Sequence, residues 1–66
     1  MKVILKDGTR IEQWMNLDND WWYTIPVPSC VLPKGMPVRS YLGITLEKRL
    51  RAWAEANKSL VERIDP

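Results

Sequence analysis

The hydrophobic pattern of this 66-residue chain changes period along its length, and each change marks an element. Lys2 to Lys6 is a β-branched, aliphatic run that predicts a strand. Asp7-Gly8 follows, a two-residue hairpin signal because glycine tolerates a positive φ. Thr9 to Met15 fits two states. As a strand it pairs back on the first, with Ile11 opposite Ile4. As a helix it opens with a capping box, Thr9 and Glu12 standing three apart. The strand is the expectation, because the hairpin signal leads straight into a β-compatible run.

Asn16 to Asp20 is polar and predicts a turn. Trp21 to Val27 predicts a third strand, since Trp, Tyr, Thr and Ile suit a pleated surface. Alternation puts Trp21, Tyr23 and Ile25 on one face and Trp22 and Thr24 on the other. Both faces then carry a tryptophan, and the outward one is expected to be Trp22. Pro26 and Pro28 remove ladder donors, so this strand ends there or lies at an edge. Residues 28–44 read as a stiff, irregular, Pro-rich connector. Within it, Pro33-Lys34-Gly35 predicts a type I turn with Pro second and Gly fourth.

The period then becomes helical. Thr45 is a good N-cap, and a helix is predicted from about Leu46 to Ile64, ended by Asp65-Pro66. Leu46, Leu50, Trp53, Leu60, Val61 and Ile64 form one apolar stripe, opposite Lys48, Arg51, Glu55, Lys58 and Glu62. Trp53 lies mid-stripe and belongs to the core. The expected architecture is α+β: a short antiparallel β-meander of two to three strands (about 2–6, 9–15 and 21–27) packed against one long C-terminal helix. Residues 1–66 form a single small domain.

Composition narrows the chemistry. There is no histidine and a single cysteine, Cys30, so an internal disulfide is excluded and a Cys/His metal site has no ligand set. Cys30 has no His to form a thiolate pair and Ser29 has no base partner. Cys30 is expected to be a buried small hydrophobe. No phosphate-cradling loop exists, since Gly8, Gly35 and Gly43 are scattered. Asn16, Asp18 and Asp20 have the spacing that opens a calcium loop, but Trp21 stands where Gly is needed and Val27 where a bidentate Glu is needed. No catalytic residue, cofactor or metal is therefore expected.

The longest uncharged stretch, Trp21 to Pro33, is too short for a membrane span and is broken by prolines. No secretory signal follows Met1, because only Val3 to Leu5 are apolar there. A cytoplasmic location is the expectation, and a chain this short beginning at Met1 is the kind of gene common in phages and mobile elements.

Three features point to binding. The cluster Trp21-Trp22-Tyr23 has the residue types that bury large areas at low entropy cost and anchor partner surfaces. Residues 1–33 hold three basic and four acidic side chains, whereas residues 34–66 hold seven and four. Lys34, Arg39, Lys48, Arg49 and Arg51 gather around the start of the predicted helix, where cations oppose the helix dipole; this suggests an acidic partner. Finally, Leu50, Asn57, Leu60 and Ile64 lie on a heptad-like seam in which Asn57 would fix register, which predicts a homodimer. The leading expectation is a small protein-binding module: an inhibitor, adaptor or accessory subunit. A nucleic-acid-binding regulator using exposed Trp and the basic patch, and a homo-oligomeric structural subunit, are the alternatives.

Overall fold

The computed structural model describes residues 1–66 and is a small α+β fold. Five strands, β1 (Lys2–Leu5), β2 (Arg10–Met15), β3 (Trp22–Val27), β4 (Arg39–Ser40) and β5 (Val61–Asp65), form one antiparallel sheet in the order β4-β3-β2-β1-β5. One helix, α1 (Gly43–Ala56), follows β4, and a 3-10 turn (Lys58–Leu60) leads into β5. No helix is long and apolar enough to cross a membrane. The α+β class expected from the pattern holds, but two to three strands understates the sheet.

The β1–β2 hairpin closes one residue off the expected register. Gly8 N donates to Leu5 O at 3.0 Å, Leu5 N donates to Thr9 O at 2.8 Å, and Gly8 has φ +93°. The loop is therefore three residues, Lys6 to Gly8, a turn completed by a left-handed glycine. Ile11 pairs with Val3, and Ile4 with Arg10. The shift decides which side chains face the core, because a one-residue slip exchanges the faces of a strand. Val3 and Ile11 are both fully buried on the helix side.

The predicted helix over 46–64 is corrected at both ends. It starts at Gly43 with Leu42 as its cap, so Thr45 lies inside it and caps nothing. It stops at Ala56. Asn57 leaves helical geometry, and its Nδ2 donates to Trp53 O at 2.8 Å, a second donor on a carbonyl that also accepts Asn57 N at 2.9 Å. Val61 to Asp65 then pairs with β1. Leu5 faces Val61 and Ile4 faces Arg63, so Glu62 is the extra residue of a bulge. The bulge puts Val61 and Ile64 on the same face of a strand although they are three apart, a spacing that otherwise reads as helix. Leu50, Asn57, Leu60 and Ile64 consequently share no helical face, and the predicted dimer seam does not form.

The core lies between α1 and one face of the sheet. Leu46, Leu50, Trp53 and Ala54 of the helix meet Val3, Leu5 and Ile11 of the sheet, with Met36 from the connector filling the end. Trp53 Nε1 donates to Lys34 O at 3.1 Å, so the connector is fastened to the helix. The connector turns one residue later than predicted: Met36 N donates to Pro33 O at 3.2 Å, with Gly35 at φ +79°. Pro26 is tolerated inside β3 for a local reason. Thr24 N–H points away from β2 to Val38 O at 2.9 Å, and Pro26 presents its ring nitrogen to that same side, past the end of β4.

Candidate functional site

The second face of the sheet has no helix over it. Cross-strand pairing fixes what it displays, because directly opposed residues share a face. Trp14 pairs with Tyr23 and Tyr23 with Arg39, giving one row across β2, β3 and β4. Glu12 pairs with Ile25, and Arg10 with Val27 and Ile4, giving the next rows. Trp21 and Tyr41 continue the first row's face beyond the ends of β3 and β4. Their rings meet edge to face with centroids 5.7 Å apart, and the Arg39 guanidinium lies 4.9 Å above the Trp21 ring. Five large side chains, Trp14, Trp21, Tyr23, Arg39 and Tyr41, thus converge on the β3–β4 end of an uncovered sheet. Trp14 is 58% exposed and Tyr41 59% exposed.

Polar contacts hold several of these groups in place. Trp14 Nε1 donates to Glu12 Oε1 at 2.8 Å, which lays the indole along β2. That bond, helped by Lys2 and Arg10, holds the Glu12 carboxyl below its ordinary range. Asn19 Nδ2 donates to Tyr23 Oη at 2.9 Å, and Arg39 stands beside the same oxygen. Both favour the phenolate, so Tyr23 is held below the usual tyrosine range. Asn19 is placed by the Asn16–Asp20 turn. Asn16 Oδ1 there accepts from Asp18 N at 2.8 Å and Asn19 Oδ1 from Trp21 N at 3.0 Å. Beside the aromatic row, Trp14, Met15, Asn16, Tyr23 and Ile25 line a shallow depression of about 280 Å³.

Charges of both signs stand on the uncovered face. The strand positions of the uncovered face carry Lys2, Arg10, Arg39 and Arg63 against Glu12, Glu62 and Asp65. The remaining six basic and five acidic side chains leave +1 elsewhere, so the net charge of +2 is shared between this face and the rest of the chain. Arg10 pairs with Glu12 at 3.5 Å and Arg63 with Asp65 at 2.9 Å. Arg39 has no carboxylate partner among the ion pairs and rests on Trp21 instead.

The residues singled out from sequence are only partly brought together. Trp21, Tyr23 and Arg39 join on the uncovered face. Trp22 does not: it faces the helix and packs against the core, so the expectation that it points outward is reversed. The predicted basic patch divides. Lys34 and Arg49 share an open groove beside Trp53, Arg51 bonds Glu47 at 3.2 Å along the helix, and Lys48 is exposed. Leu50 is fully buried within the chain, Asn57 caps the helix, Leu60 is half-exposed and Ile64 packs from β5 against the core. Cys30 is exposed in the connector and not buried as expected. Trp14 and Tyr41 were not among the predicted contact residues. Pairing Trp14 across the Asn16–Asp20 turn with Tyr23 was the available signal for the first; nothing local marks the second.

A cleft of about 470 Å³ lies at the opposite end of the molecule. There Leu5, Lys6, Asp7, Leu32 and Leu60 bring the β1–β2 hairpin near the connector and the 3-10 turn. Its Asp7 carboxylate accepts from Thr9 N at 2.9 Å, and its Ser29 hydroxyl is engaged with Val31 N and O at 3.1 and 3.3 Å. Both groups serve their own turns. No protein-family model, curated protein or solved structure matches the chain.

Proposed function

We propose that this protein is a non-enzymatic binding module and that the uncovered sheet face around Trp14, Trp21, Tyr23, Arg39 and Tyr41 is its contact surface. One observation carries the reading: these side chains gather on one rigid face while the helix and connector cover the other. Trp, Tyr and Arg are the residue types that dominate binding energy at macromolecular contacts, because they bury large, stiff surfaces and retain a polar handle. The chain holds no histidine, and the Ser29 hydroxyl is committed to its own turn, which supports binding over catalysis. A protein partner with an acidic surface fits this composition, in the manner of an inhibitor, adaptor or accessory subunit.

A second reading, a single-stranded nucleic acid, is favoured by the cation above the Trp21 ring and by the positive excess on the same face. A dimer through the C-terminal seam loses its support, because the seam residues lie on different elements. The test is a photo-crosslinking amino acid placed at Tyr23 or, as a control, at Glu55 on the exposed side of the helix. The expected result is a defined covalent product from position 23 alone, suppressed by excess wild-type chain but not by a Trp14→Ala/Arg39→Ala chain. Equal products from both positions, or none from position 23, would overturn the reading.

A further inference from the structure

We infer that the uncovered face is a stacking platform for single-stranded nucleic acid, bound without reading its sequence. The inference rests on the uncovered face being the contact surface, and of the two partners named above it takes the single strand over the protein. A single strand offers flat bases with π-faces and a regularly spaced negative backbone, so its binder needs exposed rings beside cations. Trp14 and Tyr23 are cross-strand neighbours on adjacent strands, so their rings rise from one row of the sheet. Trp21 stands two residues from Tyr23, about 7 Å along β3, roughly one step of an extended strand. Arg39 joins the two: its guanidinium covers the Trp21 ring and lies beside the Tyr23 hydroxyl.

Charge complementarity selects among the partners. The strand positions of this face hold four cations against three carboxylates, and the cations flank the aromatic row: Arg39 at the β4 end, with Lys2, Arg10 and Arg63 behind it towards β5. A protein anchor needs a well-formed pocket to fill or to enter. The depression beside Trp14 and Tyr23 is open and shallow, which suits a base lying on a ring better than a side chain inserted into a hole. Duplex DNA fits poorly, because its bases are already stacked and the flat sheet has no element to enter a groove.

The experiment is a tryptophan-fluorescence titration of the full chain with oligothymidylate and oligouridylate of about 12 nucleotides, within the site size of single-strand binders. A duplex of equal length is run in parallel, at low and near-physiological salt. The expected result is saturable quenching by a single strand that weakens as salt rises, with a log–log slope near −0.7 per phosphate neutralised. Trp14→Ala should weaken binding about tenfold and Arg39→Ala about fivefold with a shallower salt slope, while Arg51→Ala on the helix leaves it unchanged. Tyr23→Phe keeps the ring and should retain most of the affinity, which separates stacking from a loss of fold. Three results would overturn the inference: no single-strand binding at low salt, duplex bound as tightly as single strand, or face variants that bind as wild type does. If the first occurs while the crosslinker at Tyr23 still captures a protein, the face remains the contact surface and only the partner assigned to it is wrong.

Discussion

Replacing Gly43 by alanine tests the placement of Trp22 on the core side of the sheet. In most helices a Gly→Ala change is favourable, by about 0.4–1 kcal/mol, because it restricts the unfolded chain. Gly43 is the first residue of α1, and its φ is not in the left-handed region, so nothing in its backbone forbids a side chain. The obstacle is steric. A Cβ at this position would stand 2.9 Å from Trp22 Cε2, 3.1 Å from Cδ2 and 3.2 Å from Cζ2. Carbon atoms settle at about 3.5–4.0 Å, so the added methyl overlaps three atoms of one indole ring. Trp22 cannot withdraw freely, since it is held on β3 between Met15 and Ser40 and packs against the core. Overpacking of this kind costs about 1–3 kcal/mol. The clash outweighs the helix gain, for a net loss of about 0.5–2 kcal/mol. At about 4–8 °C per kcal/mol for a domain near this size, Tm should fall by roughly 2–16 °C. Thermal and urea melts followed by circular dichroism read the effect, and the slope of ΔG against urea should stay constant. In a Trp22→Leu background the same substitution should become neutral or mildly stabilising, because the colliding ring is gone. If Gly43→Ala stabilises the wild-type chain, or shifts both backgrounds equally, Trp22 is not wedged against the helix start and its assignment to the core fails.

Two further substitutions follow from the same structure. Thr24 is 4% exposed and its Oγ1 is buried without a hydrogen-bond partner, so Thr24→Val, which keeps the shape and removes the orphaned hydroxyl, should stabilise by about 1 kcal/mol in a urea melt; a loss of stability would show that the hydroxyl is bonded in solution. Asp7 is held below the ordinary carboxylate range chiefly by the Thr9 backbone N–H. A carboxylate with a depressed folded-state pKa contributes stability that is present above its unfolded value and is lost as pH falls through the folded one. The wild-type Tm should therefore drop below about pH 4, and Asp7→Asn should flatten that drop while leaving the neutral-pH side with a constant offset; parallel acid limbs for the two chains would refute the assignment.

The local patterns were legible where one element decides them. The first three strands stand close to their predicted bounds, and the two-faced alternation of Trp21 to Ile25 is correct, because period and turn chemistry are properties of adjacent residues. Three features required knowledge of distant pairing. Asp7-Gly8 marks a hairpin, but whether its loop holds two residues or three is settled by which register buries Val3 against Ile11. The helix was extended through Val61 and Ile64 because a bulge at Glu62 gives a strand the i, i+3 spacing of a helix. Strand β4 is two residues long and has no period to detect.

The same distant pairing decides the site. Alternation states that Trp21 and Trp22 point opposite ways; it cannot state which way the helix lies. That choice is made by Gly43, the only residue type at the helix start that lets an indole approach so closely, and by the core positions Leu46 and Leu50 that draw α1 onto the Trp22 side. Once α1 sits there, every second residue of β2 and β3 is released from packing, and the face so released carries Trp14, Tyr23 and Arg39. A chain of this length has little apolar surface to spare from its core, since small domains bury a smaller share of their surface than large ones. Burying Trp14, Trp21 or Tyr41 would have gained stability where it is scarce. Two tryptophans and two tyrosines left partly or largely open on a face that also holds Arg39 without a carboxylate partner mark where the molecule gives up stability to meet a partner.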